Sequence, residues 1–151
     1  VTPNAVAVSR VVPDAPSLNA EYDGNLPLII DGNNATTWNS YTFSTSNFGG
    51  YASDMAFVVE LEEESDVSEV VISQSGGSGG AMEVLVSDTP DLASANRITT
   101  TNFTGPEITV SVSEEGKPVK AQYVIVNVTE LPQLQGGNRP FGMRIAEIAV
   151  S

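Results

Sequence analysis

The chain contains no cysteine and no histidine, and only 6 of its 151 residues are lysine or arginine. Without cysteine there is no disulfide, no thiolate metal site and no thiol nucleophile. Without histidine, the commonest general base and zinc ligand is gone. Against those 6 cations stand 19 Asp and Glu, for a net charge of −13. Such a surface repels nucleic acid and anionic membranes, whose phosphates are held by clustered Lys and Arg. No apolar run approaches the roughly 20 residues of a membrane helix, and no basic-then-apolar leader opens the chain. A chain that starts at Val1 is expected to be a piece of a longer protein, secreted or anchored in a membrane. Abundant Ser, Thr and Asn with few Lys point towards export. Tryptophan occurs once, at Trp38.

What is present is period-two patterning. Residues 108–113 alternate apolar and polar without exception, as a half-buried strand does. Residues 55–61 place Met55, Phe57, Val59 and Leu61 on one face, and segments 82–86, 122–128 and 144–150 alternate in the same way. Segments 26–30 (LPLII) and 67–73 are more continuously apolar, the pattern of strands buried on both faces. The run GGSGG at 76–80 predicts a hairpin loop, EEESD at 62–66 a solvated turn, and 91–96 one short helical turn after Pro90. No segment of ten or more residues shows a 3.6-residue period. The expected fold is all-β, a sandwich formed by one domain over residues 1–151.

Few residues suggest chemistry. Hydrolysis without Cys or His would rest on a converging pair of carboxylates, and the acidic residues fall in turns and on polar strand faces with no such pair marked. The glycine run lacks the Lys-Ser/Thr ending of a phosphate loop. Three N-glycosylation patterns, at Asn34, Asn102 and Asn127, are unsurprising in a chain so rich in Asn and Thr. The corner at 31–38, DGNNATTW, is richer in oxygen. Asp31, Asn33 and Thr36 offer side-chain oxygens to a calcium ion, which takes roughly 6–8 such ligands. Equally, Asp31 and Asn34 suit Asx turns that bond nearby amides without any metal. Trp38 is expected to bury its ring. Four rings follow among small polar residues, Tyr41, Phe43, Phe48 and Tyr51, and this loop is the candidate ligand-binding surface. No Arg or Lys stands near it in the sequence.

An apolar run, Asp31-Gly32, Asn33, then Thr36 and Trp38 resembles the discoidin-like superfamily, which includes coagulation-factor type C domains and family 32 carbohydrate-binding modules. The final segment RIAEIAV, with Glu147, resembles that superfamily's last strand. The resemblance implies a galactose-binding-type jelly roll. It also implies a structural calcium shared by Asp31, Asn33, Thr36 and Glu147, although Asn33 stands where the superfamily usually has Asp. The stretch from Asp31-Gly32 through Tyr41, Phe43 and Phe48-Gly49-Gly50 looks like the C-terminal extracytoplasmic domain of actinobacterial MviN-type lipid II flippases and related pseudokinase-bearing membrane proteins. This similarity implies a non-catalytic module at the cell surface that recognises carbohydrate or a peptidoglycan-related ligand in cell-wall synthesis. The alternatives are a protein-interaction or scaffold domain in a wall-synthesis complex, and a carboxylate glycosidase.

Overall fold

The computed structural model describes residues 1–151. Nine strands form two antiparallel sheets. The five-stranded sheet runs in the order β1 (Ala5–Val11), β3 (Met55–Val67), β8 (Val119–Glu130), β5 (Gly79–Ser87) and β6 (Asn96–Phe103). The four-stranded sheet runs β2 (Trp38–Asn39), β9 (Arg144–Val150), β4 (Glu69–Gln74) and β7 (Glu107–Ser111). No helix is long and apolar enough to cross a membrane.

The main core lies between the sheets. Met55, Phe57, Val59 and Leu61 all enter it from β3 and meet Val124, Val126 and Val128 of β8 and Ile145 and Ile148 of β9. The alternate residues Ala56 and Val58 turn to the outer face, where Leu85 and Ile125 join them in a second, smaller cluster. Burial on both faces explains the unbroken burial of residues 55–59 in a strand whose sequence alternates only in size.

Three expectations need correction. Residues 26–30 are not a strand but the end of a 3-10 helix, Ala20–Ile30. A short apolar run fits either geometry; here Leu26 and Ile29, three apart, fall on one face of a three-residue turn and are both buried. Pro27 carries no N–H for a sheet ladder and would weaken a central strand. The acidic run 62–66 is not a turn either. It continues β3 past a break in register between Glu60 and Ser65, with Ser65 buried and Glu62, Glu63 and Glu64 exposed. The break accommodates the charges, since a bulge lets consecutive side chains escape strict alternation.

The glycine run 76–80 is not a hairpin loop, because β4 and β5 belong to different sheets; it is the crossover between them. Two of its glycines, Gly77 and Gly80, are required by closeness. A Cβ on Gly80 would stand 2.6 Å from the Glu130 carbonyl oxygen, and one on Gly77 would stand 2.9 Å from Pro132. The short helical turn near Pro90 is present as Leu92–Ser94, and the final strand spans the expected residues.

Candidate functional site

Trp38 anchors the region. Its ring is fully buried, lies 5.1 Å from Phe57 in an edge-on contact, and its indole N–H donates to the Tyr22 carbonyl at 3.1 Å. Register fixes it as well, since Trp38 pairs with Ile145 of β9. The chain before it forms the oxygen-rich corner. Asp31 accepts from the Asn33 N–H at 2.9 Å and from the Thr36 hydroxyl at 2.6 Å, while the Asn33 side-chain oxygen accepts from the Ala35 N–H at 2.9 Å. These are Asx turns, built on Asn33 where the sequence suggested Asn34. Glu147 reaches the same corner from β9 and accepts the Gly32 N–H at 3.0 Å.

The four residues that the superfamily resemblance groups are therefore neighbours. Thr36 and the Asn33 amide hold the Asp31 carboxyl below its ordinary range. Burial raises that of Glu147; the Gly32 N–H opposes this, and the neighbouring Asp31 carboxylate adds to it. Two carboxylates, an amide oxygen and a hydroxyl are oxygens of the kind calcium takes, and each is engaged in a hydrogen bond within the corner. No group of three or more Asp, Glu, Cys or His side chains is placed so as to hold a metal ion.

Downstream, the segment from Ser40 to Phe43 is laced to the chain that precedes β9. The Phe43 N–H donates to the Phe141 carbonyl at 2.7 Å and Phe141 returns the bond at 3.1 Å, while the Ser40 N–H reaches the Met143 carbonyl at 3.0 Å. Beside this seam opens a cavity of about 510 Å³. Tyr41, Phe43 and Tyr51 wall it, Thr42 and Ser44 add hydroxyls, and Arg139 lines it from the other segment. No Asp or Glu is in the lining.

The four aromatic candidates separate here. Tyr51 is 70% exposed and Tyr41 37%, whereas Phe43 shows a thin edge and Phe48 none. Phe48 is thereby corrected from a ligand contact to a buried support: its ring packs edge-on beneath Phe43 at 6.0 Å. Tyr41 is held on three sides. Its hydroxyl donates to Glu21, its ring meets Tyr22 edge-on at 5.3 Å, and its N–H donates to the Asn19 side-chain oxygen at 2.6 Å. The bond to Glu21 pushes the Tyr41 phenol up to about 12 and draws the Glu21 carboxyl down.

Sequence reasoning missed two of these parts. Asn19, fully buried in a left-handed conformation (φ 64°), sits far from the loop in sequence, although Asn is among the few residues that adopt that region readily. Arg139 overturns the expectation that no cation stands near the aromatics. Only the pairing of Phe43 with Phe141 brings it there.

No protein-family model matches the sequence, and no curated protein matches it. Solved structures do match. The chain aligns over 95% of its length with part of a Ruminococcus gnavus GH29 fucosidase, at 16% identity and a TM-score of 0.63, and spans 24% of that enzyme. It aligns over 98% of its length with 95% of the CBM32 of AlyQ, solved in complex with 4,5-unsaturated mannuronic acid, at 19% identity and a TM-score of 0.62. It also covers 93% of chitosan-binding module 1 from a chitosanase/glucanase of Paenibacillus sp. IK-5, with 96% of its own length, 17% identity and a TM-score of 0.59. The chain has the fold of the family 32 carbohydrate-binding modules. In this galactose-binding-type β-sandwich, the cavity lies beside the seam between the loop after β2 and the chain leading into β9.

Proposed function

We propose that the chain is a non-catalytic carbohydrate-binding module whose ligand sits against Tyr41, Phe43 and Tyr51. One observation carries this: a preformed cavity with aromatic walls and hydroxyl and guanidinium donors, lined by no carboxylate. A two-carboxylate glycosidase has no acid and base in such a lining. A flat apolar patch would favour the scaffold reading. Of the exposed large apolar side chains, Tyr41 and Tyr51 border the cavity, and only Val1 and Val6 lie elsewhere. Titration with a glycan array and soluble muropeptides tests the reading. Tyr51→Ala should weaken binding about tenfold or more, ~1.4 kcal/mol, and leave stability within about 0.5 kcal/mol because the ring is solvent-facing. Saturable binding that Tyr51→Ala and Tyr41→Ala both leave intact would remove the site.

The narrower reading is a peptidoglycan-related ligand, met outside the cell by a domain of a membrane-anchored parent engaged in cell-wall synthesis. It rests only on the resemblance of the stretch from Asp31 to Phe48-Gly49-Gly50 to the extracytoplasmic flippase domains, a resemblance that no family model or curated protein supports. Muropeptides that bind no better than unrelated neutral glycans would count against it.

The corner of Asp31, Asn33, Thr36 and Glu147 is proposed to hold a structural calcium. A ligand bound only by the folded form raises the melting temperature, so calcium should stabilise the protein, EDTA should reverse the gain, and Glu147→Ala should abolish it. An EDTA-insensitive melting curve would refute the site. The metal should also change the pH response. Without it, the raised Glu147 carboxyl holds its proton more tightly in the folded chain than in the unfolded one. Its contribution is then full at acid pH and is lost as pH rises through the folded value. Bound calcium should remove that loss.

A further inference from the structure

We infer that the cavity selects sugars bearing a carboxylate and that Arg139 is the residue that selects them; this rests on the binding-module reading above. Rings and hydroxyls by themselves accept many saccharides. Arg139 breaks that neutrality. Its side chain is exposed on the cavity wall and makes no ion pair, in a chain where 19 carboxylates compete for 6 cations. Arg10, 4% exposed at its side chain, closes on Asp23 at 2.7 Å, and Arg97 stands 3.5 Å from Glu83, while Arg144 makes no ion pair but lies outside the cavity lining. At the cavity, no acidic residue joins the lining, and the Glu21 carboxylate beside it is taken up by the Tyr41 hydroxyl.

Backbone bonds place this arginine. Its carbonyl accepts the Gln135 side-chain amide at 3.1 Å, and the next carbonyl, of Pro140, accepts the Leu134 N–H at 2.7 Å. Phe141 then pairs with Phe43 of the opposite wall. The guanidinium is thus presented by a tied loop, with its fork of donors uncommitted. A carboxylate meets that fork through two parallel charge-assisted bonds, which a hydroxyl cannot reproduce. The net charge of −13 disfavours anions over most of the surface, and of the cations only Arg139 lines this aromatic-walled cavity.

The test is calorimetric titration of matched saccharide pairs that differ in the carboxylate. Galacturonate, glucuronate and mannuronate oligomers are each compared with the neutral hexose oligomer of the same length, and N-acetylmuramic acid is compared with N-acetylglucosamine. The last pair distinguishes a wall-derived acid from a uronic acid. In at least one pair the wild-type protein should bind the acid at least tenfold more tightly. Arg139→Gln should reduce that preference below about twofold by weakening the acid far more than its neutral partner, and Arg139→Lys should retain part of the preference. Because the side chain is exposed, both variants should melt with the wild type. Equal affinity within every pair, or an acid preference that survives Arg139→Gln, overturns the inference while the binding-module reading stands. Absence of binding to every one of these saccharides overturns both.

Discussion

Replacing Trp38 with alanine is expected to cost about 3–5 kcal/mol of folding stability, the range for deleting a buried aromatic. The ring has no exposed surface and is wedged edge-on against Phe57. Its loss leaves a cavity between the sheets and strips the Tyr22 carbonyl of the N–H that satisfies it. Domains of this size are stable by only about 5–15 kcal/mol, so the variant should be partly unfolded at modest urea. The conservative Trp38→Phe keeps most of the apolar area and loses the hydrogen bond, which predicts about 1–3 kcal/mol. Urea denaturation followed by circular dichroism measures both. Since Trp38 is the single tryptophan, native fluorescence in the wild type should be blue-shifted and should move red on unfolding. Saccharide affinity separates core from binding site: Trp38→Phe should leave it unchanged, because the ring lies outside the cavity lining. A variant that kept full stability and lost binding would make Trp38 a stacking platform instead.

Burial of Trp38 was legible because a large ring between a turn and an apolar stretch has few other places to go. The last strand was legible although RIAEIAV does not alternate strictly: Ile145, Ala146 and Ile148 are buried, and the pairing with β4 shifts register between Ser73 and Gln74. Other elements were not. β1 and β6 are edge strands, and an edge strand need not bury a full face. In β6, NRITTTNF buries only Phe103, so period-two hydrophobicity is absent where hydrogen bonding to β5 alone makes the strand. The run LPLII misled because its burial is satisfied at i and i+3 as well as at i and i+2. At the site, the oxygen-rich corner could be assembled only by joining Asp31 to Glu147, a separation that pattern reading crosses by resemblance and not by spacing. Arg139 had no such guide. Its place depends on the Phe43 and Phe141 pairing, which is tertiary information. Exposure within the aromatic loop was equally hidden: Phe48 and Tyr51 lie three residues apart amid the same small residues, one fully buried and the other 70% exposed.

Phe48 carries the other large effect, and its sign is unusual. The residue has φ 59°, followed by Gly49 at 64° and Gly50 at 85°, so a bulky side chain occupies a left-handed turn that glycine would fill more readily. The turn closes through the Gly50 N–H to the Asn47 carbonyl and the Tyr51 N–H to the Phe48 carbonyl, both at 3.0 Å. What holds Phe48 there is burial: the ring is sealed under Phe43, at the base of the cavity wall. Phe48→Ala should therefore cost about 3–5 kcal/mol, as for other buried phenylalanines. It loses the ring and keeps the left-handed strain. Phe48→Gly loses the same ring and relieves the strain, so it should be the more stable of the two by about 0.5–1 kcal/mol, the reverse of their order in a helix or strand. Paired urea melts decide the order. If alanine proves the more stable, the left-handed turn is not what residue 48 contributes. Both variants should also weaken saccharide binding although Phe48 touches no ligand, since Phe43 then loses the ring beneath it and the Tyr51 side is freed to move. A Phe48 variant that lost stability yet kept full affinity would show that the cavity walls stand without their support, and would leave Tyr41, locked by Asn19 and Glu21, as the wall on which recognition depends.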